Sequence, residues 1–104
     1  MSFVIDNITP HPGDVPSGAT LRVSYTARSF NGNSQIDVTY TAPGGMTLDG
    51  HATSSFHHGI ATSNTPLQDS FVVSAAPGNY TISMHADEHS TGDTDDESVV
   101  INVT

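Results

Sequence analysis

Ala76-Pro77-Gly78-Asn79-Tyr80-Thr81-Ile82-Ser83-Met84-His85-Ala86 is the stretch that decides how this chain is read. Pro-Gly-Asn is turn chemistry: proline presets one backbone angle, and glycine and asparagine tolerate a positive one. From Tyr80 onward the residues alternate. Tyr80, Ile82, Met84 and Ala86 take one side; Thr81, Ser83 and His85 take the other. A period of two marks a strand with one face on a core. Downstream, Asp87 to Glu97 is rich in acids, and Ser98 to Thr104 alternates again through Val99, Ile101 and Val103. These pieces predict the closing hairpin of an all-β domain, two strands joined by an acidic loop.

The same period runs upstream. Leu21, Val23, Tyr25 and Ala27 share a phase, with Arg22, Ser24, Thr26 and Arg28 opposite them. Asn31-Gly32-Asn33 is a turn, and Ile36, Val38 and Tyr40 point inward after it. Pro43-Gly44-Gly45 ends that strand. Met46 and Leu48 start a short one, and Leu67, Phe71, Val73 and Ala75 form another. Phe3 to Ile8 is mixed in phase. Thr9 to Gly18 holds three prolines, which remove ladder donors and predict a stiff extended connection. Thr53 to Ile60 reads as an edge strand or a wide loop. The expected core is Ile5, Leu21, Val23, Tyr25, Ile36, Val38, Tyr40, Leu48, Phe71, Val73, Tyr80, Ile82, Met84, Val99, Ile101 and Val103. With 104 residues and no period longer than a hairpin, residues 1–104 form one domain.

Pro77-Gly78-Asn79-Tyr80-Thr81-Ile82 resembles the entry to the sixth strand of bacterial and phage immunoglobulin-like domains. Asn7-Ile8-Thr9-Pro10 and Val15-Pro16-Ser17-Gly18-Ala19-Thr20-Leu21-Arg22-Val23-Ser24-Tyr25 resemble the first half of the same group. The resemblance implies an immunoglobulin-like two-sheet antiparallel sandwich of seven or eight strands. It also implies that Tyr80 is a corner tyrosine, its hydroxyl bonded back across the preceding connection. The cysteine pair and tryptophan of antibody domains are absent. Modules of this group act as spacers, adhesins, carbohydrate-binding accessories or virion decorations; a shared fold does not choose among them.

Composition narrows the partners. The formal net charge is −9, with no lysine and only Arg22 and Arg28 as strong bases. Phosphate backbones and anionic membranes are bound by clustered Lys and Arg, so neither nucleic acid nor membrane is expected as a partner. There is no cysteine, hence no disulfide and no thiolate nucleophile or ligand. Residues 1–20 lack a basic start followed by an apolar run, so no signal peptide is visible.

Two groups of residues carry potential chemistry. The acidic stretch supplies Asp87, Glu88, His89, Asp93, Asp95, Asp96 and Glu97 as an exposed tip for contact with a partner. Within it, Asp93, Asp95, Asp96 and Glu97 offer oxygen ligands of the kind Ca²⁺ accepts, at spacings unlike an EF-hand loop. No other cofactor is expected. The histidines are His11, His51, His57, His58, His85 and His89. No spacing forces them together, and alternation sends His57 and His58 to opposite faces. They read mainly as surface residues. A copper carrier using His with Met46 or Met84 is the alternative. No nucleophile elbow or cleft-forming carboxylate pair is present, so the chain is not read as an enzyme.

The expected function is a non-catalytic structural or binding module displayed on a large assembly, a virion (capsid decoration or fibre) or a cell surface, with that protein assembly as its partner. A metal-binding sandwich and a carbohydrate-binding accessory domain are the alternatives. The last would use exposed rings, for which Phe30 and Phe56 are the candidates. Protonating all six histidines moves the formal charge from −9 to −3. Self-repulsion falls accordingly. Light scattering is expected to show more association near pH 5 than at pH 8, and an unchanged signal would refute that.

Overall fold

The computed structural model describes residues 2–104. Among the described residues nine strands follow one another: β1 (Phe3–His11), β2 (Asp14–Val15), β3 (Thr20–Ser29), β4 (Ser34–Thr41), β5 (Met46–Leu48), β6 (Thr53–Ile60), β7 (Thr65–Ala75), β8 (Gly78–Glu88) and β9 (Thr94–Val103). They make two sheets, in the orders β1-β3-β7-β5 and β2-β9-β8-β4-β6. All pairings are antiparallel except β2 with β9. The result is a two-sheet sandwich, long and narrow at 42 × 20 × 17 Å.

Of the expected core, all but Tyr80 are buried, and Phe3, Val15, Ala27, Met46, Ile60 and Ala86 join it. Tyr80 is half-buried and its hydroxyl donates to the Ala76 carbonyl at 2.7 Å, the corner bond the resemblance implied. Gly78 makes that corner possible: its φ is +154°, a conformation closed to side-chain-bearing residues, and the Tyr80 ring lies 3.7 Å from where a Cβ would stand.

Two stretches differ from expectation, and a third, left open between an edge strand and a wide loop, is decided. Strand β1 runs on through Thr9, Pro10 and His11, paired with Ser24, Val23 and Arg22. As the edge of its sheet it needs no ladder donor on its open side, so proline is tolerated there. Its mixed phase comes from a register shift between Asp6 and Thr9, with Asn7 at φ 58°. Thr53–Ile60 is a full edge strand, paired residue for residue with β4. The acidic stretch is largely strand: β8 reaches Glu88, β9 starts at Thr94, and only His89–Asp93 turns. The ladder continues through consecutive acids because successive side chains of a strand point to opposite faces, so Asp95 and Glu97 lie on one side of β9 and Asp96 on the other.

The sheets are also joined by a polar knot. Asp69 of β7 sits in the core phase and is 2% exposed. Its Oδ2 accepts the hydroxyls of Tyr25 (β3) and Tyr40 (β4), each at 2.7 Å. Its Oδ1 lies 2.6 Å from His58 Nε2 (β6). The donors come from both sheets. Burial, together with the adjoining carboxylate, pushes both tyrosine hydroxyls well above the usual range, so they stay protonated as donors.

Replacing Asp69 by Ala strands two buried hydroxyls and the partly buried His58 ring and is expected to cost about 3–5 kcal/mol in urea unfolding. Tyr25→Phe, which removes one charge-assisted bond, should cost about 1.5–3 kcal/mol. Ile82→Ala, at a site with no exposure, belongs in the range of about 2–5 kcal/mol.

Candidate functional site

Chemistry gathers on the outer face of the five-stranded sheet. Strand register sets it up. Asp37 on β4 lies opposite His57 on β6 and Asp87 on β8. One row along, His85 on β8 lies opposite Thr39 on β4 and Asp96 on β9. Each residue is out of phase with its buried neighbours, so all six side chains share the outer face. His89 reaches the same face from the turn. Its backbone N–H donates to the Gln35 carbonyl at 2.9 Å, which fixes the start of the turn beside β4.

Two clusters result. In the first, His57 Nδ1 lies 2.7 Å from Asp37 Oδ1 and His89 Nε2 lies 2.6 Å from Asp37 Oδ2. The two rings are 5.0 Å apart and tilted by 53°. The hydrogen bonds from His57 and then His89 hold the Asp37 carboxyl below the usual carboxylate range. In the second, His85 Nδ1 is 2.5 Å from Asp96 Oδ1 and its Nε2 is 3.2 Å from Asp87 Oδ1. The Asp96 bond, aided by the charge of Asp87, raises the His85 pKa against the opposing effect of desolvation.

The acidic residues expected at one exposed tip are divided among three environments. Asp87, His89 and Asp96 lie on the outer face just described, and Asp93 is exposed at the turn. Asp95 and Glu97 lie in the inward phase, facing Asp6 of β1, and are half-buried. Desolvation and mutual repulsion raise both their pKa values, those of Asp95 with some relief from the Ile5 backbone N–H. The Asp93, Asp95, Asp96 and Glu97 set proposed for Ca²⁺ is thus divided between the two faces and the turn. Glu88 corrects the expectation of an exposed contact: it is 1% exposed. Its Oε1 accepts the hydroxyls of Ser2 and Thr91, the latter at 2.7 Å. Burial raises its pKa, but hydrogen bonds from Ser2, Thr91, Ser34 and Ser29 outweigh that and hold it below the usual range.

Other candidates also find their places. His58 faces inward onto Asp69 and is not a surface residue. Met46 and Met84 are core residues, 5% and 1% exposed, so their thioethers do not meet the histidines of the outer face. Phe56 packs edge-on to Tyr40 at 5.7 Å. Phe30 remains exposed, with the Arg28 guanidinium 4.9 Å above its ring.

No family model and no curated protein matches this sequence. Solved structures do share the fold. A lipoprotein from Bacteroides thetaiotaomicron is similar at a TM-score of 0.58 and 11% identity, over 100% of this chain and 82% of that one. A conjugative transposon lipoprotein from Bacteroides eggerthii is similar at 0.55 and 14%, over 96% of each chain. Part of the Pseudomonas fluorescens alkylpurine DNA glycosylase AlkC, determined bound to DNA containing an abasic-site analogue, is similar at 0.63 and 16%. That match covers 98% of this chain but spans only 30% of the glycosylase. At these identities the likeness shows the fold.

Linkage gives opposite signs to the two kinds of acid. Glu97, whose folded pKa is raised, stabilises the fold in its protonated form; the contribution is lost as pH rises from its unfolded value through its folded one. Glu97→Gln is therefore expected to raise the melting temperature at pH 7, by the equivalent of about 0.5 kcal/mol. The gain should vanish below about pH 4. A destabilised variant at pH 7 would contradict the repulsion argument.

Proposed function

We propose that this domain is a non-catalytic structural and binding module that works on the surface of a large assembly. The observation that carries this reading is the division of chemistry between its two broad faces. Both arginines lie on the outer face of the four-stranded sheet, exposed on β3. The paired histidines and aspartates lie on the outer face of the five-stranded sheet. A narrow slab with unlike faces is suited to lateral contacts in an array, where many weak contacts add through avidity.

The neighbour orders β1-β3-β7-β5 and β9-β8-β4 support a place among immunoglobulin-like sandwich modules. Two structural neighbours of nearly this length are described as lipoproteins. They favour the cell-surface version over the virion version, capsid decoration or fibre, that the sequence also suggested.

Fractionation of the native source tests the reading. The protein is expected to sediment with the envelope or particle fraction and to be released by high salt. Arg22→Glu combined with Arg28→Glu should shift it to the soluble fraction while leaving its melting temperature nearly unchanged. Recovery of the unaltered protein only as a free soluble monomer would count against a surface role.

A further inference from the structure

Asp37, His57 and His89 come from two strands and a turn, 20 and 32 residues apart in the chain, and meet at one point. Their candidate ligand atoms, one from each residue, all lie within 4.8 Å of one another. We propose that they form a binding site for a divalent ion of the zinc class. The donor set is the chemical argument. Two imidazole nitrogens and one carboxylate suit borderline ions such as Zn²⁺, whereas Ca²⁺ takes oxygen ligands.

The geometry carries the proposal further. The two rings do not stack; they are tilted and direct Nδ1 of one and Nε2 of the other at the two oxygens of a single carboxylate. A tetrahedral ion with bonds of about 2.0–2.2 Å needs its donors about 3.3 Å apart. The present contacts of 2.6 and 2.7 Å, one to each carboxylate oxygen, need to open by less than an ångström, and the wider separations among the three ligand atoms, all within 4.8 Å, need to close toward the same value; rotation of these exposed side chains supplies both. The ion replaces the two hydrogen bonds that now hold the rings, and each ring binds it as a neutral imidazole whose one N–H proton sits on the nitrogen turned away from the ion.

The scaffold is already set. Asp37 and His57 are fixed by the β4–β6 ladder, and His89 by its backbone bond to Gln35. Asp87, opposite Asp37 on β8, adds a nearby negative charge. Three protein donors leave a fourth position that faces solvent, open to water or to a donor from a neighbouring molecule. The half-exposed setting makes low-micromolar affinity the expectation, weaker than a closed structural zinc site.

Isothermal titration of the full chain with ZnCl₂ tests this, beside imidazole-resolved NMR of the unaltered protein. One ion per chain should bind. His57→Ala, His89→Ala and Asp37→Asn should each weaken binding by about tenfold or more. His85→Ala, which touches the second cluster only, should leave it unchanged. The NMR signals of His57 and His89 should move on addition of Zn²⁺ while those of His11 and His51 stay put, a readout that needs no variant to fold. Absence of binding overturns the proposal. So does an equal loss in His85→Ala, or a uniform shift of all the histidines, since either would mean diffuse attraction to an acidic surface. The fractionation result is independent of all these outcomes.

Discussion

The Asp69 carboxylate is the constraint on which the sandwich depends. A carboxylate in an apolar interior carries a large desolvation cost, and only well-placed donors offset it. Here three donors converge from three other strands, two on β4 and β6 and one on β3. Because Tyr25 and Asp69 belong to one sheet and Tyr40 and His58 to the other, those bonds form only when the sheets sit at one separation and one relative register. A chain without cysteine thus has a directional link between its layers. Apolar packing alone would tolerate sliding; hydrogen bonds of 2.6–2.7 Å would not. The knot also secures β6, an edge strand held by β4 on one side only.

Much of the fold was legible because alternation is a local signal. Tyr80, Ile82 and Met84, or Leu21, Val23 and Tyr25, declare their phase within five residues. Asp69 is where alternation fails as a signal. It stands between Leu67 and Phe71 in the inward phase, yet a charged residue there reads as an interruption. The available clue was the company it keeps: two tyrosines in core phase, each with a hydroxyl that needs a partner once buried. Phe56 and His58 were hidden for the same reason. Ser54, Phe56, His58 and Ile60 alternate, but the apolar signal is diluted by serine and histidine. The acidic stretch misled in the other direction, since density of charge reads as loop while hydrogen-bond pairing with β8 continues through Thr94, Asp95 and Asp96.

The outer-face clusters were not legible at all from spacing. Asp37, His57 and His89 become neighbours only through the β4–β6 register and the place where the β8–β9 turn folds back. A one-residue slip in β6 would send His57 inward and bring His58 out. The core therefore decides the surface: Ile60 in its slot and His58 on Asp69 fix the register that sets His57 beside Asp37.

Four titrating groups at the β8–β9 end set its response to pH. His85 has a raised pKa, so its bond to Asp96 stabilises the fold fully below its unfolded value and is lost as pH rises through the folded one. Asp95 and Glu97, also raised, act in the same direction, because their protonated forms suit a half-buried, mutually repelling site. Asp37 acts the other way: its contribution is present above its unfolded pKa and lost only as pH falls through its lowered folded value. The histidine bond on the exposed face is partly screened by solvent, so its share is small. The windows nonetheless overlap. This end of the sandwich is held best in mildly acidic solution, above the range where Asp37 is protonated and below the range where His85 is neutral. Substituting lysine for His85 would make the pairing with Asp96 permanent; with histidine that pairing is lost as pH rises.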